Sequence, residues 1–181
     1  QYQVANVQLA DADGEGLVLS AQEGKDSILS ATVTDYGSVH GNITFAGGDI
    51  TVGGEGKNAY HGKTLVTGGS VTLAKEAGFG NTALLSISND AKVNFGTFNQ
   101  TVGALVAEGD GALSGSGRLT LGTTADGASS ISGSNDFAGT VVLANGHTLT
   151  LNKDASGVGS KATLQFGDAN GELVLSGTDG G

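Results

Sequence analysis

The chain lacks proline, cysteine, methionine and tryptophan, and has only three tyrosines and six phenylalanines among 181 residues. Without cysteine there is no disulfide, no thiolate nucleophile and no cysteine-ligated zinc. So few aromatics cannot supply the two interfacial girdles of a membrane β-barrel. They also leave too little bulk for a thick core. Basic residues are scarce as well: eight Lys and Arg stand against 18 Asp and Glu, a formal net charge of −10. That balance argues against nucleic acid, whose phosphates demand basic stripes, and against a polybasic membrane contact. No apolar run reaches membrane-helix length, and no signal peptide starts at Gln1. The repeat pattern is cut at both ends, so the chain reads as a fragment of a longer protein that carries its sorting signals elsewhere.

What is present is glycine, 33 residues of it, more than twice the usual share of about 7%. Hydrophobic residues make up 38% of the chain, mostly Val, Leu, Ile and Ala in short runs. Such ordered β-branched clusters do not belong to a disordered polymer. They fit a thin, elongated core closed by many turns in which glycine supplies positive φ.

The chain also repeats itself. NAYHGKTLVTGGSVTLAKEAG from Asn58 returns as NDFAGTVVLANGHTLTLNKDAS from Asn135. The offset is 77 for Asn58 to Asn135 and Gly62 to Gly139, 78 for Lys75 to Lys153, and 79 for Gly78 to Gly157, Phe79 to Val158 and Gly80 to Gly159. LVLS at Leu17–Ser20 reappears at Leu173–Ser176, with Val93-Asn94-Phe95 in the slot between. A drifting offset places insertions in loops and keeps strands in register, as in stacked coils.

Strand signals are short, alternate with period two, and end at Gly, Asn, Asp or Ser. They fall at Val4–Leu9, Leu17–Leu19, Ile28–Val33, Val39–Phe45, Asp49–Val52, Thr64–Thr67, Ser70–Leu73, Ala83–Ile87, Lys92–Phe95 and Thr101–Val106. Further signals are Leu119–Leu121, Val141–Leu143, His147–Leu151, Thr163–Phe166 and Leu173–Leu175. In Ser70–Leu73 the alternation points Val71 and Leu73 inward, and in the second copy Leu149 and Leu151. The best helical stretch, Ala74–Ala77, is a single turn, and its counterpart Asn152–Gly159 has gained a residue and reads as a loop.

An immunoglobulin-type sandwich would want a thicker core, often a Trp, and linkers between modules. A right-handed parallel β-helix needs only short strands, tight turns and small apolar residues stacked coil upon coil. At roughly 20 to 25 residues per coil, the repeat spans three or four coils and the chain about eight. The expected architecture is one continuous all-β solenoid over residues 1–181. It has internal repeats at approximately 37–110 and 111–181, and 1–36 forms a partial preceding copy.

Motifs that could carry chemistry lose it on inspection. Gly62-Lys63-Thr64 lacks the first glycine of a nucleotide-binding loop, because Lys57 occupies that position. It also leads into a strand, not a helix, so no nucleotide is expected. DADGEG at Asp11–Gly16 and GGEGKN at Gly53–Asn58 echo calcium loops but do not recur in tandem, and they read as solvated acidic turns. His40, His61 and His147 have no partner at metal-ligand spacing and are expected as surface polar residues, His147 being set opposite Ser70. Ser114-Gly115-Ser116-Gly117 is followed by no helix and is no nucleophile elbow. Asn42-Ile43-Thr44 and Asn99-Gln100-Thr101 match a sequon common by chance. A glycan-cleaving site wants clustered carboxylates, basic groups and aromatic platforms. The chain has one arginine, Arg118, and its candidate carboxylates would be Asp110, Asp126 and Asp136. No catalytic, cofactor or metal residue is therefore assigned, and no enzyme is expected.

Phe98–Thr123, FNQTVGALVAEGDGALSGSGRLTLGT, resembles the passenger segment of bacterial autotransporters that reads roughly "qtvgsLsGsG.l.l". NAYHGKTLVTGGSVTL and NDFAGTVVLANGHTLTL resemble the "ytGgTtv..GtLtl" passenger repeat. The likeness covers about Gly37 to Ser176. It implies a β-helical stem exported to the surface of a Gram-negative cell through a C-terminal outer-membrane barrel of the same polypeptide. Lack of cysteine suits that route, since the passenger crosses largely unfolded. Implied roles are an adhesin or self-associating passenger, with a host surface or identical passengers as partners, in a stem overlapping a segment that promotes folding. The alternative is a glycan-binding or glycan-degrading β-helix.

Overall fold

A computed structural model describes residues 4–88, 90–123, 127–152 and 157–176. The chain is an all-β parallel solenoid of about seven turns. No α-helix occurs among the described residues, and Ala74–Ala77 is irregular chain and turn.

One face is an eight-stranded sheet of β2 (Leu17–Ser20), β5 (Ile43–Gly47), β7 (Lys63–Val66), β9 (Leu84–Ile87), β12 (Leu105–Ala107), β15 (Ala128–Ile131), β18 (Thr148–Leu151) and β20 (Glu172–Leu175). The second face is six-stranded: β3 (Asp26–Leu29), β6 (Asp49–Val52), β8 (Ser70–Leu73), β10 (Lys92–Asn94), β13 (Leu113–Gly115) and β16 (Asp136–Phe137). On the third, β1 (Asn6–Leu9) pairs with β4 (Thr32–Asp35), and β11 (Gln100–Val102), β14 (Arg118–Leu121), β17 (Thr140–Leu143) and β19 (Thr163–Phe166) form a four-stranded sheet. Between β4 and β11 that face is carried by single backbone bonds, such as Asn81 N to Tyr60 O at 2.9 Å. Every strand pairing is parallel. The coil length runs from 19 residues (Gln100 to Leu119) to 26 (Leu17 to Ile43), with one more residue taken up at the irregularity between Leu19 and Ser20. Longer coils at a few positions give about seven turns in place of the expected eight.

Two expected strands are each broken by a corner. Ile28–Val33 divides between β3 and β4, and Thr101–Val106 between β11 and β12. A continuous apolar run hides a bend, because the side chains on both sides of a corner still point into the same core. β13, β15 and β16 had no expected counterpart. Their sequences are rich in Ser, Gly and Asp, and tertiary pairing overrides that weak local preference.

Parallel register stacks like on like. Phe45, Val66, Ile87, Ala107, Ile131 and Leu151 follow one another up one interior column. Val71, Leu73, Leu149 and Leu151 are all buried, as the alternation predicts. Across the columns Phe45, Phe79, Phe95 and Phe137 make edge-to-face contacts in series, with centroids 6.2, 6.3 and 5.9 Å apart. Thin coils of small aliphatics thus gain added bulk from four rings, whose T-shaped pairing adds to the effect of their buried area.

The sequence repeat does not match whole coils. β7 sits on the eight-stranded face and its copy β17 on the four-stranded one; β8 sits on the six-stranded face and its copy β18 on the eight-stranded one. From β7 the repeat passes three coils, through β9 and β12 to β15, and then two further faces. The repeated unit is therefore a corner with its two flanking strands, used at different edges of the solenoid.

Candidate functional site

The third face and the corner after it carry the group of side chains best placed for ligand chemistry. Asp35 closes β4. The chain then turns back over Tyr36–Val39, with Val39 N donating to Tyr36 O at 3.0 Å and Gly37 at φ 60°. This return places His40 Nε2 4.0 Å from Asp35 Oδ2. His61 arrives from the next coil. Its neighbour Gly62 lies so close on Gly41 that a Cβ there would stand 2.0 Å from the Gly41 carbonyl oxygen. Only glycine permits that approach, and it stacks His61 beside His40, ring centroids 5.1 Å apart and inclined by 30°.

Asp35 organises the group. Its Oδ1 accepts from the His61 backbone N–H at 3.1 Å and its Oδ2 lies 2.8 Å from His61 Nδ1. The carboxylate side chain is only 11% exposed, whereas those of His40 and His61 are 64% and 49% exposed. One nearly buried acidic oxygen thus faces two imidazoles open to solvent. The three ligand atoms lie within 4.8 Å of one another, and this is the one such grouping found among the described residues. Two nitrogens and one oxygen are donors suited to a borderline divalent cation. No spacing along the chain marks this group, because Asp35 and His61 are 26 residues apart and meet only through coil stacking. The exposure of His40 and His61 agrees with expectation.

His147 does not. It is fully buried, with Nε2 2.6 Å from Ser129 Oγ. The inserted residue of the second repeat copy falls inside the turn Ala144–His147, which is closed by His147 N donating to Ala144 O at 3.1 Å. Thr148 therefore takes the place of Ser70, and His147 moves into the corner. Ser129 Oγ also accepts from Leu105 N at 2.8 Å, while His147 Nδ1 has no partner. Burial holds the His147 imidazolium below its ordinary pKa. Ser129 is 4% exposed and His147 0%, so this serine–histidine pair offers no reactive atom to a substrate.

The remaining sequence candidates serve the coils. Thr64 of the Gly62-Lys63-Thr64 segment is buried against Tyr60 Oη at 2.7 Å and Thr82 Oγ1 at 2.8 Å. Burial pushes the Tyr60 phenol far above its usual range. The acidic turn at Asp11–Gly16 is held by Asn42, whose Nδ2 donates to the carbonyls of Ala12 and Gly14 at 3.0 Å each. Asp110 is exposed and accepts from Ser134 N at 2.7 Å; Asp136 is exposed on β16. Asp126 and Lys153 lie outside the described residues. A hollow of about 210 Å³ near the last coils is lined by Val141, Leu151, Val158, Ala162, Leu164 and Leu173 with Thr163 as the one polar residue, and such walls carry no ionisable group.

Comparison with family models, with curated proteins and with solved structures finds no match to this chain.

Proposed function

We propose that this chain is a structural stem of a surface-displayed autotransporter passenger, of adhesin or self-associating type, from a Gram-negative bacterium. The observation that carries the reading is the placement of the passenger-like segments. Asn58–Leu73, Phe98–Thr123 and Asn135–Leu151 all lie within the stacked coils as strands and corners of one parallel solenoid. A stem works by length. Each coil buries its inward side chains on the next, and backbone hydrogen bonds run along the axis. The outer Ser and Thr residues of β8, on the six-stranded face, and of β18, on the eight-stranded face, are half-exposed and give each face polar positions for contact with a host or with identical passengers. Its excess of acid keeps such an edge-rich surface soluble. The partners of the reading are neighbouring coils and an outer-membrane barrel of the same polypeptide.

The experiment is expression of the complete gene in a Gram-negative host, followed by protease shaving and antibody labelling of intact cells. Labelling of this region at the surface, lost when a downstream barrel is deleted, is the expected result. Retention of the region in the cytoplasm or periplasm of cells expressing the intact gene overturns the proposal.

A further inference from the structure

We propose that Asp35, His40 and His61 form a binding site for a borderline divalent transition-metal ion, zinc in the first place, that staples two consecutive coils. In a tetrahedral zinc site with bonds of about 2.0–2.1 Å, ligand atoms stand roughly 3.3 Å apart. Here Asp35 Oδ2 is 2.8 Å from His61 Nδ1 and 4.0 Å from His40 Nε2, so the bound geometry lies between the two distances. Both imidazoles are largely exposed, which leaves space on the solvent side for the small rotation required. The carboxylate is already oriented, since the His61 backbone N–H holds its other oxygen at 3.1 Å. Outer-shell bonds of that kind fix a ligand's direction and reduce the ordering cost of binding.

The donor set selects the ion. Calcium takes six to eight oxygens and magnesium an octahedron of oxygens, whereas two imidazoles and one carboxylate suit zinc, nickel or copper(II). Three protein ligands leave a fourth position to water. On binding, the metal replaces the proton between His61 Nδ1 and Asp35 Oδ2. The ring proton then resides on Nε2, so a neutral His61 only changes tautomer. The ion would tie the Tyr36–Val39 turn and the end of β4 to the following coil, in the part of the third face where paired strands are missing. Nearby strands β2 and β3 bury their side chains only partly, so a cross-link between coils has most to add there.

The test is calorimetric titration of the tag-free 181-residue chain with zinc chloride, paired with thermal melts. One equivalent should bind with micromolar affinity, calcium should not bind, and zinc at about 100 times Kd should raise Tm by several degrees. His40→Ala and His61→Ala should each weaken zinc at least about tenfold. Because both side chains are exposed, these variants should retain the wild-type circular dichroism spectrum without metal. Cobalt(II) provides an independent readout, as a visible d–d band that is lost in either variant. Failure to saturate at millimolar zinc, or unchanged binding in the His40→Ala/His61→Ala double variant, overturns the proposal. Neither result bears on whether the stem is displayed at a cell surface.

Discussion

The side-chain amide of Asn135 donates to the carbonyl of Gly157 at 2.8 Å, and Asn58 makes the same bond to Gly78 at 2.7 Å. Each asparagine also accepts, through Oδ1, a backbone N–H of the preceding coil: Leu113 at 2.9 Å for Asn135 and Val33 at 2.9 Å for Asn58. The two copies stand on different faces of the solenoid, yet each clamps three successive coils. What the repeat conserves is thus a buried clamp between coils, built from an asparagine and a glycine 20 or 22 residues further on.

Replacing either asparagine by leucine leaves one donor and one acceptor of the backbone buried and unpaired. Asn135→Leu should lower stability by about 2–4 kcal/mol, and Asn58→Leu by more, since it also takes the acceptor from buried Lys75 Nζ, measured by urea unfolding. A loss well under about 2 kcal/mol in Asn135→Leu would show that its clamp contributes little.

Lys75 tests the first clamp from another side. It is buried, its Nζ donates to Asn58 Oδ1 at 3.0 Å, and desolvation holds its pKa below the ordinary value. Lys75→Met removes that buried cation while Val33 N still satisfies Asn58 Oδ1. The change should be within about 1 kcal/mol of neutral, far milder than Asn58→Leu. The folded lysine gives up its proton at lower pH than the unfolded one, so the unfolded chain binds more protons in that alkaline window. Lys75 therefore contributes a rise of stability with pH there, and the variant should lack it.

Glycines act here for two separate reasons. A Cβ on Gly62 would lie 2.0 Å from the Gly41 carbonyl oxygen, and one on Gly139 2.0 Å from that of Gly117. Gly62→Ala and Gly139→Ala should cost about 2–3 kcal/mol each by forcing neighbouring coils apart. Asp90 presents the converse case. It sits at φ 70° in the turn closed by Ala91 N donating to Ser88 O at 3.0 Å. Asp90→Gly relieves a left-handed conformation that costs an L-residue about 1–2 kcal/mol, against about 0.5–1 kcal/mol for glycine's greater freedom when unfolded. A gain of up to about 1 kcal/mol is expected, and thermal melts decide it.

Burial of His147 should make the fold acid-sensitive. It lowers the folded imidazole pKa from the ordinary 6.5. Between the lowered and the ordinary value the unfolded chain holds more protons, so stability is full above that window and is lost as pH falls through it. His147→Gln should flatten the fall in Tm as pH drops below the ordinary imidazole value of 6.5. An unchanged difference between the two melting profiles would place the acid sensitivity elsewhere.

Much of this was legible in the chain. Alternation in Ser70–Leu73 and Thr148–Leu151 determined which residues face inward, since period two leaves an apolar residue no other side to occupy. Glycine content and the absence of bulky residues determined a thin, coil-by-coil core, and the drifting offset determined that insertions go to turns. Tertiary structure alone decided where the corners fall, because a bend between Leu29 and Thr32, or between Val102 and Leu105, leaves the apolar pattern unbroken. It also decided that the repeat advances by two faces beyond whole coils, and that one inserted residue carries His147 into the interior. The convergence of Asp35, His40 and His61 belongs to the same class. Their spacing along the chain has no ligand signature, and the contact exists only because stacking sets Gly62 on Gly41 and so brings two distant histidines to one carboxylate.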